Sequence, residues 1–206
     1  MKTKIVLIFW ILIFLGGCVQ QIQDLNIEKS NIMDGKKVLM IVAPENFRDE
    51  EYMEPRNIFE NDGLEVIVAS KEVQEAKGMF GTTIKIDLDI EDVNVEDYDT
   101  VVFVGGSGSS VYYNDSIVLN IAREAYNKGK IIGAICIAPG ILAKAGILEG
   151  KKATIWDSGN REFIKILEES GAIYTGADVE QDGNIITANG PHAAQEFGEK
   201  IVQSLK

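Results

Sequence analysis

Lys130-Ile131-Ile132-Gly133-Ala134-Ile135-Cys136-Ile137-Ala138-Pro139-Gly140 is the stretch from which the architecture can be read. Lys130 to Ile135 predicts a strand, since its apolar run has the length and continuity of one buried on both faces. The run stops at Cys136, and a short helix is predicted over Ala138 to Ala145, stopped at Gly146. So sharp a turn lifts the intervening side chain above the carboxyl edge of the sheet, where open α/β sheets bind their ligands. It also aims the free N–H groups and positive dipole end of the helix at the sulfur, which predicts a lowered thiol pKa and a reactive thiolate. A lone cysteine in an apolar segment is as readily an inert buried hydrophobe, so spacing alone leaves both readings open.

Outward from this stretch the pattern repeats. Val38 to Val42, Leu64 to Ala69 and Thr100 to Val104 are further strand-length apolar runs, separated by helix-length amphipathic segments. That alternation is the signature of a parallel sheet with helices on both faces, an α/β class. The first helix begins in Asp49-Glu50-Glu51, where carboxylates suit the positive dipole end, and ends before Asp62-Gly63; Pro55 should kink it or mark its first full turn. On the residues alone, Glu50, Glu51 and Glu54 read as a solvated helix face. Asp115 to Lys128 is a helix closed by Gly129, Ala153 to Trp156 and Asn184 to Ala188 are later strands, and a helix from about Ala193 to Leu205 completes the chain. Residues 78–90, with Gly78, Gly81 and alternating Ile84, Ile86 and Leu88, read as a small hairpin or edge element. Gly105-Gly106-Ser107-Gly108 follows the third strand as a loop whose backbone can approach something closely. The third glycine of a dinucleotide fingerprint is absent, position 111 being Val, so no dinucleotide and no other cofactor is expected.

The 206 residues suffice for one well-buried domain, placed at 36–206. A formal net charge of −12 repels phosphate backbones and argues against nucleic acid as a partner. Two cysteines and one histidine are too few for a zinc site, and no calcium-loop spacing occurs, so no metal is assigned. At the N-terminus, Lys2 and Lys4 precede an apolar run from Ile5 to Leu15 and the small residues Gly16 and Gly17. This is a signal-peptide pattern over residues 1–17, too short for a membrane-spanning helix. Leu15-Gly16-Gly17-Cys18 resembles the lipobox of prokaryotic lipoproteins, which implies cleavage before Cys18 and acylation of its thiol. Residues 18–35 then read as a polar tether. The expectation is an extracytoplasmic protein held to the cell membrane by a lipid at Cys18.

Gly133-Ala134-Ile135-Cys136-Ile137-Ala138-Pro139, the Val104-Gly105-Gly106 loop, the Glu51-to-Pro55 spacing and the closing Thr187-Ala188-Asn189-Gly190-Pro191 together resemble the ThiJ/PfpI superfamily. The resemblance covers essentially all of residues 36–206. It implies a flavodoxin-like, doubly wound, mostly parallel sheet, usually in a homodimer or higher homo-oligomer, with the elbow cysteine beside a carboxyl group. Cys136 would be the nucleophile and Glu51 the carboxyl, pushed toward its neutral form by burial and by the thiolate. The backbone N–H groups of Gly106 and Ile137 would form the oxyanion hole. The peptidase-type members carry histidine directly after the cysteine, where this chain has Ile137, and other members carry one near the level of Trp156 or Asp157. Only His192 remains as a base, with a role at the start of the last helix as its default. The resemblance implies chemistry on small reactive carbonyls or their adducts, of glyoxalase III or deglycase type. The alternatives are a peptidase or amidase, which the missing histidine disfavours, and a redox protein whose Cys136 is oxidised beside Glu51.

Overall fold

The computed structural model describes residues Gly35–Lys206. The expected signal peptide, Cys18 and nearly all of the expected tether lie outside the described residues. With strands numbered in chain order, β1 (Lys37–Ile41), β3 (Glu65–Ser70), β6 (Leu88–Asp89), β7 (Thr100–Phe103), β8 (Ile131–Ile135), β11 (Val179–Asp182) and β12 (Ile185–Ala188) form one seven-stranded sheet. Its order is β11-β12-β8-β7-β1-β3-β6, and β11 alone is antiparallel to its neighbour. The inner strands β3-β1-β7-β8-β12 follow the 2-1-3-4-5 order of flavodoxin-like folds, so the strand order reverses between β1 and β7. The carboxyl ends of these two strands therefore flank the natural ligand crevice.

Among the described residues, five α-helices cover the sheet: α1 (Asp49–Asn61), α2 (Ser116–Asn127), α3 (Pro139–Lys144), α4 (Glu162–Glu169) and α5 (Ala194–Ser204). On one face Leu39, Val101, Ile132 and Ala134 meet Val118, Ile121, Ala122 and Ala125 of α2 in a shared core with α3 and α4. The other face carries α1 and α5. There α5 lies so close to β8 that a Cβ on Gly133 would sit 2.7 Å from Ile201 Cδ1, which accounts for a glycine inside an apolar strand. Phe59, Phe103 and Phe197 are fully buried between the layers, each contributing about 1.5–3 kcal/mol by removal from water. The α1 helix continues through Pro55, whose missing N–H leaves the Glu51 carbonyl without its helical donor. Asp115 caps α2 by accepting from the N–H groups of Ile117 and Val118 at 3.0 and 3.2 Å.

Residues 78–90 take both expected forms. β4 (Glu75–Gly78) and β5 (Thr83–Lys85) make a hairpin that adds to β2 (Glu45–Phe47), and Leu88–Asp89 is the edge of the main sheet. The expected strand at Ala153–Trp156 is not part of that sheet. Only β9 (Lys152–Ala153) is regular, paired with β10 (Ile173–Tyr174), because β12 already occupies the edge of β8.

Candidate active site

Cys136 follows β8 with φ of +62°, a left-handed conformation that costs a residue with a Cβ about 1–3 kcal/mol. Hydrogen bonds on every side impose it. Cys136 N–H donates to Ala188 O at 2.9 Å, Trp156 N–H donates to Cys136 O at 2.8 Å, and Ala138 N–H donates to Ile135 O at 3.0 Å. Tyr113, half-buried at the end of the segment after β7, donates its hydroxyl to Ile137 O at 2.7 Å and so braces the first turn beyond the elbow. Its neighbour Tyr112 does the same for the end of β1 by donating to Val42 O at 2.9 Å.

The glycine loop approaches the chain's own backbone. Arg48 N–H donates to Gly105 O at 3.0 Å. A Cβ on Gly106, whose φ is +97°, would lie 2.3 Å from Arg48 N, and one on Gly108 would lie 1.8 Å from Glu45 O. Gly105 is enclosed in the same way: a Cβ there would stand 2.3 Å from Glu51 Oε2 and 2.5 Å from Cys136 Cβ. One methyl group would thus touch both the carboxyl and the cysteine, and its absence lets them face each other.

The acidic run that opens α1 divides three ways. Asp49 accepts from Phe80 N–H at 2.9 Å and Thr82 N–H at 3.0 Å, pinning the hairpin turn that carries Met79 and Phe80. Burial raises the Asp49 pKa, but these bonds and the Thr82 side chain outweigh it and hold the carboxyl below its ordinary range. Glu50 accepts two bonds from the Arg48 guanidinium, at 2.8 and 3.2 Å, and that guanidinium lies 4.5 Å over the Phe80 ring. Glu51 points inward and is completely buried. Neither of its oxygens has a hydrogen-bond partner of full geometry among the described residues. The Cys136 thiol is the neighbour that lowers its pKa most, in a contact looser than a formed hydrogen bond.

Burial pushes the Glu51 carboxyl up to about 8, against the smaller opposing effects of Cys136 and Arg48. Glu51 is therefore neutral at pH 7. Burial, and then the Glu51 charge, push the Cys136 thiol up to about 12, opposed by the N–H groups of Gly106 and Ile137 directed at the sulfur. The lowering expected from the elbow geometry is thus corrected. Helix α3 has only six residues, and desolvation of the sulfur outweighs the donors its first turn supplies.

Cys136 and Glu51 form the floor of a cavity of about 310 Å³, with Gly106 and Ser107 beside them. Its walls are Ile137, Trp156, Phe163, Pro191 and Met79, with Arg48 at the side of the hairpin. A larger cavity of about 600 Å³ lies across Ser107, lined by Asn46, Lys71, Val111 and Asp115, and contains neither Cys136 nor Glu51. His192 does not line the Cys136 cavity. It is exposed, with Nε2 3.1 Å from Asp178 Oδ1, a carboxylate oxygen that also accepts from Asn189 Nδ2 at 3.1 Å. Among the described residues, no three His, Cys, Asp or Glu side chains converge to hold a metal.

The model of the DJ-1/PfpI family matches residues 36–204, a span that carries every residue of this floor. The chain belongs to the DJ-1/PfpI family. A relative from Methanocaldococcus jannaschii is 44% identical over 180 residues, covering 87% of each chain. A Pyrococcus horikoshii relative named as a deglycase is 32% identical over 170 residues, covering 82% of this chain and 99% of the relative. The ThiJ/PfpI domain protein of Brachyspira murdochii superposes with a TM-score of 0.78 at 31% identity, covering 84% of this chain and 97% of that one. Arg48, Asp49, Tyr113 and Trp156 were not singled out as site residues by sequence; only Asp49, next to Glu50 and Glu51, carried a local signal.

Proposed function

We propose that the protein is a cysteine-dependent enzyme acting on 2-oxoaldehydes or their amine adducts. The observation that carries this reading is a buried carboxyl, neutral at pH 7, set against a thiol and two backbone N–H donors, with no imidazole in the cavity. As the pair loses one proton, the sulfur adds to the aldehyde carbon. An S–C bond forms, the carbonyl π bond opens, and the oxygen takes a proton to give a hemithioacetal, held by Gly106 and Ile137 N–H. Glu51 then removes the proton from that carbon and returns one to the neighbouring carbon, converting the hemithioacetal to a 2-hydroxy thioester. Water cleaves the thioester to the 2-hydroxy acid and frees the thiol, so the net change is addition of one water. An amine adduct at the same carbon first breaks its C–N bond, the hydroxyl proton passing to the departing amine, and the aldehyde so regenerated follows the same course. The name of the Pyrococcus relative supports this chemistry. Peptide cleavage would also require general-acid help to an amine leaving group, worth about 10²–10⁴ in rate, and His192 stands outside the cavity.

The reactive species is the pair that has lost one proton, whichever atom keeps the other. With the carboxyl raised to about 8, kcat/KM for methylglyoxal is expected to climb about tenfold per pH unit below 8 and level off above it. Cys136→Ser should abolish this turnover. A pH-independent rate, or turnover that survives Cys136→Ser, sinks the proposal.

We also propose that the mature chain is anchored through an acylated Cys18, which the residues 2–18 support. Mass spectrometry of membrane-extracted protein is expected to show lipid on Cys18. A product beginning at Met1 with a bare thiol would contradict it.

A further inference from the structure

We infer that the cavity over Cys136 selects 2-oxoaldehydes whose substituent is aromatic or of similar apolar bulk, held against Trp156; this rests on the carbonyl reading above. At ~30 Å³ per water-sized group, about 310 Å³ accommodates roughly ten heavy atoms. Methylglyoxal has about five, so it leaves half the space wet, whereas phenylglyoxal has about ten. The walls suit a ring. Trp156 is tied to the elbow through its backbone bond to Cys136 O, and it lines the same cavity as Cys136. Behind it, Gly190 allows close support, since a Cβ there would lie 2.9 Å from the indole Cε3. The indole remains 37% exposed, an unusual state for so large an apolar side chain inside a cavity wall.

Phe163, Met79 and Pro191 complete the apolar lining of this open cavity. The cation on this cavity, Arg48, is already engaged by Glu50 and stacked on Phe80. It therefore offers little to draw in a charged substituent in place of a ring. A planar group laid on the indole leaves the dicarbonyl end for Cys136, and offset stacking adds to the gain from apolar burial. Trp156 is on this account a specificity-determining residue.

The test compares full-chain enzyme with Trp156→Ala and Trp156→Phe on phenylglyoxal and methylglyoxal. Wild type is expected to favour phenylglyoxal at least about tenfold in kcat/KM, chiefly through KM, because apolar pocket differences are worth that much. Trp156→Ala should erase the preference by lowering kcat/KM for phenylglyoxal at least about tenfold more than for methylglyoxal, and Trp156→Phe should keep most of it. In Cys136→Ser, which cannot react, mandelate should quench tryptophan fluorescence at concentrations where lactate does not, and Trp156→Phe should remove the response, since Trp10 is the other tryptophan. Equal use of both aldehydes with no effect of Trp156→Ala overturns the aromatic subsite and leaves the carbonyl reading intact. If no 2-oxoaldehyde turns over yet mandelate still quenches Trp156, the carbonyl reading fails and the subsite stands. Absence of mandelate quenching overturns the subsite.

Discussion

Glu51→Gln is expected to lower turnover of 2-oxoaldehydes by about 10²–10⁴ and at the same time to stabilise the fold at alkaline pH. The loss of rate follows from removing the only carboxyl on the cavity floor that can move a proton to and from the substrate carbons. The gain in stability follows from burial. Its folded pKa of about 8 stands above the ordinary 4.5 of an unfolded chain, so between these values the unfolded state releases a proton that the folded state retains. Stability is fully present below pH 4.5 and is lost as pH rises through about 8, by something of the order of 3–5 kcal/mol. Gln cannot ionise and escapes this loss. Thermal unfolding at pH 5 and pH 9 should show the variant's Tm gaining roughly 10 °C relative to wild type between the two conditions. A gap that does not change with pH would show that Glu51 is not held neutral by its surroundings. Comparing two pH values cancels the fixed cost of burying an amide in place of an acid.

Gly105→Ala is expected to damage folding and turnover together. Its Cβ would meet Glu51 Oε2 at 2.3 Å, Cys136 Cβ at 2.5 Å and Ile135 O at 2.6 Å. None of these can move cheaply. Ile135 is in the middle of the sheet, Cys136 is fixed by bonds to Ala188 and Trp156, and Glu51 is enclosed. Overpacking of this kind costs about 1–3 kcal/mol, and here about 3 kcal/mol or more because backbone must shift. Parting the thiol and carboxyl by even 1 Å should cost about 10² in kcat/KM. Urea unfolding and turnover of the folded variant would measure the two losses separately. A variant that folds with wild-type midpoint and rate would mean that the carboxyl and cysteine do not face each other across this glycine.

The inner strands were legible because each is an apolar run bounded by polar residues, and Cys136 was legible because it ends one of them at a helix start. What failed was whatever depends on partners distant in the chain. The helix Glu162–Glu169 has no side-chain cap at Arg161, whose φ is +60°; Asn160, one residue earlier, accepts from Glu162 N–H at 3.0 Å instead, which displaces the signal from the usual cap position. Asp49, Glu50 and Glu51 are chemically alike in sequence, and the difference between them is made by the Phe80 and Thr82 N–H groups, Arg48 and Cys136. The thiol pKa was misjudged for the same reason. A helix dipole is visible in sequence, whereas desolvation by Ile137, Glu51 and the 105–107 loop is a tertiary property. Trp156 ends the short run 153–156 in sequence, and its place in the cavity wall depends on Gly190, which is distant in the chain.

Closure of the elbow by the bond from Cys136 N–H to Ala188 O has to wait for a segment far along the chain. The thiol is made about 50 residues before its acceptor. Whether the chain folds as it is made or only after export, the cysteine stays outside its final turn until β12 joins β8 and closes it. Tyr113, Arg48 and Glu51 are made earlier and are present to collapse against the elbow, but its left-handed conformation has no reason to persist until Ala188 emerges. Assembly of the reactive centre is thus a late step of chain completion, and truncations that stop short of β12 should yield a cysteine with the reactivity of an ordinary peptide thiol.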